Sequence, residues 1–389
     1  MLTRFVPPQT PALVVDRDAL DANLAAMQAL CTAAGVRLRP HGKMHKCSTL
    51  GRLQIERGAA GLCAQTVGEA EAFVAGGIGD MLVSAPSPEW AAPRIAALAR
   101  SARVAATADH PDQITWLGAA AQREGTVIDV IVDIDPGTHR TGVHPSQAVS
   151  LARQAAATDG LRFGGIQIYA GQLQHVEQGA ARKRAYDGVI ARAASMVDAL
   201  TAAGLAPGVV TGGGTGSHAY DLASGVFTEL QAGSYALMDV EYGDCEPPAG
   251  GTWPFRQALF VVSRVVSANH KSHVTIDAGV KAVSMDGPPS RVVSGAAPGS
   301  RWKDMGDEHG MVVHPSSLAL LEGDFAAAVD ALDADAAAPW PSNAPCLGDL
   351  VWLQPGHCDP TVNLYDALLV VAEDGSHELW AVDARRTSR

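Results

Sequence analysis

Along most of the chain, apolar residues switch between two periods. From residue 12 to about 214, short β-branched runs alternate with Ala-rich stretches whose apolar residues recur every three or four positions. ALVVD (12–16) leads into an amphipathic stretch reaching Cys31, and VRLRPHGK (36–43) into one from about Ser48 to Arg57. GLCAQTV (61–67), DMLVSAP (80–86) and ARVAATAD (102–109) each precede a helical pattern. VIDVIVDID (127–135) and RFGGIQIYA (162–170) do the same, the latter before a long helix over about 178–203. PGVVTGGG (207–214) closes the series.

These are eight predicted strands separated by predicted helices. Runs as continuously apolar as VIDVIVDID suit parallel strands covered on both faces. Eight such units within about 230 residues predict a (β/α)8 TIM-type barrel rather than an open doubly wound sheet. No G-x-G-x-x-G follows the first strand, which argues against a dinucleotide-binding domain. The pattern then changes. ALFVVSRVVS (258–267), HVTIDAGV (273–280), LGDLVWLQP (347–355), ALLVVA (367–372) and ELWAVDA (378–384) are separated by Pro and Gly clusters. They predict a C-terminal, mostly antiparallel β domain. The turn-rich EPPAGGTWP (246–254) marks the boundary, giving a barrel over 1–245 and a β domain over 246–389. The acidic, low-complexity stretch 322–338 is expected to be a surface excursion.

Composition narrows the function class. The 389 residues carry 29 Lys+Arg and 41 Asp+Glu, a formal net charge of −12. That balance argues against a nucleic-acid partner or an anionic membrane surface. No apolar run reaches the length of a membrane span, and MLTRFVPPQTPALVVD lacks the apolar core of a signal peptide. A cytoplasmic protein is therefore expected. The six cysteines are scattered and form no C-x-x-C pair, so they predict buried thiols rather than disulfides or a zinc finger.

In a barrel, chemistry gathers at the carboxyl ends of the strands. RPHGKMHK (39–46) places Lys43 and Lys46 at such an end. A partly buried lysine there can form a Schiff base with a carbonyl, whereas a solvated basic loop would bind an anion. Arg140, after the sixth run, is placed to donate to a phenolate or a carboxylate, or to make a surface ion pair. Tyr169 and His175 follow the seventh run. TGGGTGS (211–217) gathers backbone N–H groups and hydroxyls, as a phosphate cradle requires, and ELQAGSY (229–235) adds a second Gly-Ser pair. A plain glycine turn is the alternative. In the β domain, PGHCDPT (355–361) sets His357 and Asp359 two apart. On an extended strand both would face one side, as a divalent metal of borderline hardness requires.

Together these segments resemble the D-threonine aldolase / D-serine dehydratase family. That family is the metal-dependent branch of the alanine-racemase-like, fold type III pyridoxal-phosphate enzymes. The resemblance covers roughly 9–385 and runs through TPALVVD, RPHGKMHKC, IQIYAG, TGGGTGS, ELQAGSYALMD, DAGVKA, DEHG and PGHCDPTVNL. It implies that Lys43 holds pyridoxal phosphate covalently. It implies that Thr215, Gly216 and Ser217, with Gly233, Ser234 and Tyr235, bind the phosphate, and that Arg140 and Tyr169 contact the ring. His357 and Asp359 would hold the metal, and His175 would help deprotonate a β-hydroxyl. In similar dehydratases the second metal ligand is a cysteine two residues after the histidine. Here that position is Asp359 and the cysteine is Cys358, which favours the aldolase. A carboxylate ligand suits Mn²⁺ or Mg²⁺ better than Zn²⁺. The implied reaction is retro-aldol cleavage of D-threonine and related D-3-hydroxy amino acids to glycine and an aldehyde, by a homodimer. Dehydration of such amino acids, 3-hydroxyaspartate cleavage, racemisation and cofactor carriage are the alternatives.

Overall fold

The computed structural model describes residues 5–385. These residues form two compact units that interleave along the chain. One gathers the described residues up to Asp21 with Leu237–Gly243 and Arg256–Trp380. The other gathers Ala22–Ala236, Asp244–Phe255 and the described residues from Ala381 onward. The units therefore do not follow a single cut at 245/246.

The chain opens with β1 (Ala12–Asp16) and α1 (Arg17–Ala34). The barrel strands come next: β2 (Arg37–Leu38), β3 (Leu62–Ala64), β4 (Asp80–Val83), β5 (Arg103–Ala108), β6 (Ile128–Asp133), β7 (Leu161–Ile168), β8 (Val209–Gly212) and β9 (Glu229–Leu230). They pair in parallel in the order β2-β9-β8-β7-β6-β5-β4-β3. A parallel bridge between His41 and Cys63 joins the two ends of that order and closes the barrel. Between strands run α2 (Ser48–Glu56), α3 (Val67–Ala75), α4 (Ala92–Leu98), α5 (Pro111–Glu124), α6 (Pro145–Ala157), α7 (Gly179–Ala202) and α8 (His218–Ala223). Alternate strand residues pack into one large apolar core with these helices, among them Val130, Val132, Ile166 and Ile168 with Ile114, Leu151 and Val189. Every residue of β6 is buried, as its nearly continuous apolar run predicts.

The opposite faces of the same strands carry polar groups. Gln167 of β7 donates to the Ser84 carbonyl beyond β4 at 2.9 Å, and these strands are not neighbours, so the bond crosses the barrel interior. Toward the amino ends of the strands, Arg39 donates to Glu229 at 2.8 Å and to Asp80 at 2.7 Å. Arg103 and Arg162 both pair with Asp129, at 3.2 and 2.9 Å. Gly61 lets Arg39 pass, because a Cβ there would run into the guanidinium.

Two sequence expectations change here. The ALVVD strand, β1, belongs to the other sheet, and the eighth barrel strand is the two-residue β9. Periodicity does not say which sheet a strand joins, and two residues are too few to show a period. TGGGTGS therefore follows the seventh barrel strand, and the Gly233–Ser234 loop follows the eighth.

The second unit contains α9 (Val240–Gly243), β10 (Leu259–Ser267), β11 (His273–Ile276), β12 (Arg291–Ser294), β13 (Arg301–Asp304), β14 (Gly310–Val313), α10 (Phe325–Ala334), β15 (Leu350–Gln354), α11 (Cys358–Val362), β16 (Ala367–Val371) and β17 (His377–Ala381). Its sheet order is β11-β14-β13-β12-β15-β10-β1-β16-β17, and β11 also pairs with β10. Six strands thereby close on themselves, leaving β1, β16 and β17 as an extension. β1 lies antiparallel to β10 and parallel to β16. Its Val14 packs with Val262, Trp352, Leu369 and Val371. The mostly antiparallel β domain expected from the sequence is thus present. Part of the expected surface excursion forms the short helix α10, started by the Asp324 side chain at its N-cap.

Candidate active site

The lysine turn sits at the carboxyl end of the first barrel strand. A short 3-10 turn, Gly42–Met44, carries Lys43, which is half-buried. His41 anchors it. Its backbone bridges to Cys63, its N–H donates to the Ala232 carbonyl at 3.2 Å, and its Nδ1 accepts from the Lys43 N–H at 3.4 Å. The His41 Nε2 lies 2.8 Å from the Ser84 hydroxyl. Lys46, the second lysine of the motif, is paired with Glu69. The turn also abuts the loop after β9, since a Cβ at Gly233 would stand 3.2 Å from the His41 carbonyl oxygen. Lys43 and the Gly233–Ser234 loop are therefore held together by neighbouring backbone.

The two glycine loops are tied to each other as well. The Tyr235 N–H donates to the Thr215 hydroxyl at 2.9 Å. The Ser217 hydroxyl donates to Asp221 at 2.8 Å and accepts from the Gly214 N–H at 3.1 Å and from Gln174 at 3.0 Å. One donor and two acceptor sites are all a hydroxyl has, so Ser217 is saturated by protein partners. The Gly216 N–H likewise donates to the Gln174 carboxamide oxygen at 3.0 Å. None of these contacts uses the N–H groups of Thr215, Gly233 or Ser234, or the proton of the Thr215 hydroxyl. Tyr235 is fully buried, and its hydroxyl accepts from Gln54 at 3.1 Å. The donors suited to a phosphate thus lie on Thr215, Gly233 and Ser234. Gly216, Ser217 and Tyr235 shape the loops around them.

Arg140 and Tyr169 come together, the guanidinium lying 5.7 Å from the ring centroid. His175 is half-buried in the loop before α7. Below them, Gln167 bonds Asp133 at 3.0 Å and accepts from Gln231, which also donates to Thr211. Burial raises the Asp133 carboxyl to about 6 against these hydrogen bonds. Burial also lifts Asp221 to about 7, although Tyr186 and Ser217 both donate to it.

The second unit holds the pair predicted as metal ligands. His357 and Asp359 do not lie on a strand. His357 is the N-cap of α11 and Asp359 lies in its first turn. The His357 Nδ1 lies 3.0 Å from the Asp286 carboxylate, which turns Nε2 toward Asp359, 3.9 Å from its Oδ1. Two bonds of about 2.1 Å to one ion can span that gap. A carboxylate behind a histidine is also how ligating imidazoles are oriented. The donor set thus fits a divalent ion. Among the described residues no three His, Cys, Asp or Glu side chains are grouped to hold a metal, so such an ion would complete its shell with water or substrate. Asp239 receives the Cys358 N–H at 3.0 Å, and burial holds both Asp239 and Glu241 above the usual carboxylate range.

Sequence reasoning missed Gln174, Tyr186, Asp221 and Asp286. Gln174 stood inside the quoted QIYAGQLQH, but its partners lie more than forty positions away. Asp286 follows Met285 in a Pro- and Gly-rich loop with no spacing signal. No helix among the described residues is long and apolar enough to cross a membrane.

Residues 15–240 match the family model "Alanine racemase, N-terminal domain", and residues 258–371 match "Putative serine dehydratase domain". The chain is 38% identical over 387 residues to a D-threonine aldolase of Arthrobacter sp., covering 98% of this chain and 93% of that protein. It is 39% identical to a 3-hydroxy-D-aspartate aldolase of Paracoccus denitrificans, covering 97% and 92%. The crystal structure of D-threonine aldolase from Filomicrobium marinum superposes with a TM-score of 0.87 at 36% identity, covering 98% and 97% of the two chains.

Proposed function

We infer the function from one premise: the chain belongs to the D-threonine aldolase / D-serine dehydratase family, within the alanine-racemase-like pyridoxal-phosphate enzymes. On that premise it is a carbon–carbon lyase. It cleaves D-threonine and related D-3-hydroxy amino acids, 3-hydroxyaspartate included, to glycine and an aldehyde. The observation that carries the reading is the fastening of the Lys43 turn against the Gly233–Ser234 loop through His41 and Ala232.

Pyridoxal phosphate, when bound, supplies an electron sink for charge developing at the substrate Cα. The chain's own groups do the rest. Lys43 would supply the amine that holds the cofactor. Thr215, Gly233 and Ser234 donate to the phosphate, while Gly216, Ser217 and Tyr235 keep the loops in shape. Arg140 and Tyr169 would contact the ring, with Arg140 opposing negative charge. His175 accepts the β-hydroxyl proton. His357 and Asp359 would hold a divalent ion, with Mn²⁺ favoured over Mg²⁺ and Zn²⁺. Such an ion would supply Lewis acidity toward the substrate hydroxyl. The reading extends to a homodimer in the cytoplasm, where a reducing environment suits six cysteines that form no disulfide among the described residues. Light scattering of the purified enzyme checks the dimer.

Product analysis tests the reaction. Incubation with D-threonine should give glycine and acetaldehyde. Release of 2-oxobutanoate and ammonia instead would assign a dehydratase, and a bound cofactor without turnover would assign a carrier.

A further inference from the structure

We propose that Gln174 is the positioning residue that holds the TGGGTGS loop in its anion-binding shape. The proposal rests on the reading of this loop as part of the phosphate cradle, and it adds the group that makes the cradle rigid.

Gln174 belongs to the loop after β7, and the glycine loop follows β8, so the two come from adjacent βα units. Gln174 is fully buried. Its carboxamide is used at both ends: the oxygen accepts from the Gly216 N–H at 3.0 Å and the NH₂ donates to the Ser217 hydroxyl at 3.0 Å. The peptide between Thr215 and Gly216 is pinned twice. Its N–H points to Gln174, and its carbonyl points to the His218 Nδ1 at 2.8 Å. Flipping that peptide would break both bonds and set the Thr215 carbonyl oxygen against the Gln174 carboxamide oxygen. Held unflipped, the loop keeps the shape in which the neighbouring Thr215 N–H and hydroxyl belong to the cradle, where such donors attract an anion.

The glycines themselves answer to Gln174. A Cβ at Gly216 would run into the Gln174 backbone carbonyl, and one at Gly214 into its carboxamide. A second fastening supports the first. Asp221 accepts from the Ser217 hydroxyl at 2.8 Å and from the Tyr186 hydroxyl at 2.6 Å, and Tyr186 stands on α7, which follows the Gln174 loop. Both ties therefore run from the β7–α7 unit to the β8–α8 unit. The loop is preorganised by buried hydrogen bonds, which cost little to keep and much to lose.

The experiment compares two probes on apoprotein: pyridoxal phosphate and pyridoxal, which lacks the phosphate. Gln174→Met keeps the volume and removes both hydrogen bonds. It should weaken pyridoxal phosphate binding about tenfold or more, the loss of one to two such bonds, while leaving pyridoxal binding within about twofold. Equal loss for both probes, or loss for neither, would overturn the proposal. If Gln174→Met does not fold, Ser217→Ala is the second variant, with the same phosphate-selective loss expected and equal loss again overturning it. Wild-type apoprotein that binds pyridoxal phosphate no more tightly than pyridoxal would sink the cradle reading itself, whatever the variants do.

Discussion

The Arg39 guanidinium donates to the Glu229 carboxylate at 2.8 Å, and both side chains are almost wholly buried. The same guanidinium reaches Asp80 at 2.7 Å, beyond β3, so it ties three parts of the barrel together. Burial alone would discourage charge on Arg39, but the Glu229 and Asp80 carboxylates hold it firmly protonated. Removing one partner of a buried pair leaves an uncompensated charge and costs about 3–5 kcal/mol, whereas replacing both can be nearly neutral. Arg39→Met should therefore lower the thermal midpoint sharply, and Arg39→Met/Glu229→Met should recover most of the loss. A double variant no more stable than the single one would refute this account.

Asp221 predicts a pH effect on stability. Burial raises its folded pKa to about 7, well above the unfolded value near 3.9. The group's stabilising contribution is thus fully present below about pH 3.9 and is lost as pH rises through about 7, by up to ~1.4 kcal/mol per pH unit. Asp221→Asn does not titrate. Its melting temperature relative to wild type should therefore be higher at pH 8 than at pH 5. A difference that stays constant across that range would show that Asp221 is not shifted. Asp133, raised to about 6, works in the same direction.

The two lysines of RPHGKMHK should separate cleanly. Lys43→Ala should lose the visible absorbance of lysine-bound pyridoxal phosphate and its bleaching by borohydride. Lys46→Ala breaks the pair with Glu69 and should keep both signals. A yellow Lys43→Ala protein would move the assignment elsewhere.

The contact between Asp286 and His357 predicts the metal's behaviour. Asp286→Asn should lower Mn²⁺ affinity about 10–100-fold, because the ring loses the carboxylate that orients it. Asp359→Ala removes a proposed ligand and should cost more. Titration calorimetry on chelated protein measures both, and a chelator should abolish cleavage until Mn²⁺ is restored. Unchanged affinity in both variants would rule out the His357–Asp359 site.

What the sequence determined by itself is what local chemistry encodes. Alternating periods required parallel strands wrapped by helices, because an apolar run such as VIDVIVDID needs cover on both faces. The strand-end rule brought attention to Lys43 and to the glycine loops, since a lysine and a run of N–H groups are costly there without a ligand. Tertiary structure alone decided the rest. ALVVD reads as a strand anywhere, and only its partners β10 and β16 place it in the second sheet. Glu229–Leu230 is a barrel strand because β2 and β8 flank it, not because two residues carry a period. The HxD pair reads as extended, yet it caps a helix, and Asp286 comes from over seventy positions away to turn His357 toward Asp359. Ser217 reads as a phosphate donor until Gln174, Asp221 and Gly214 are seen to fill its hydrogen-bonding capacity. Those partners are distant in sequence, and hydrogen-bond saturation is a property of three-dimensional neighbours, which no spacing along a chain records.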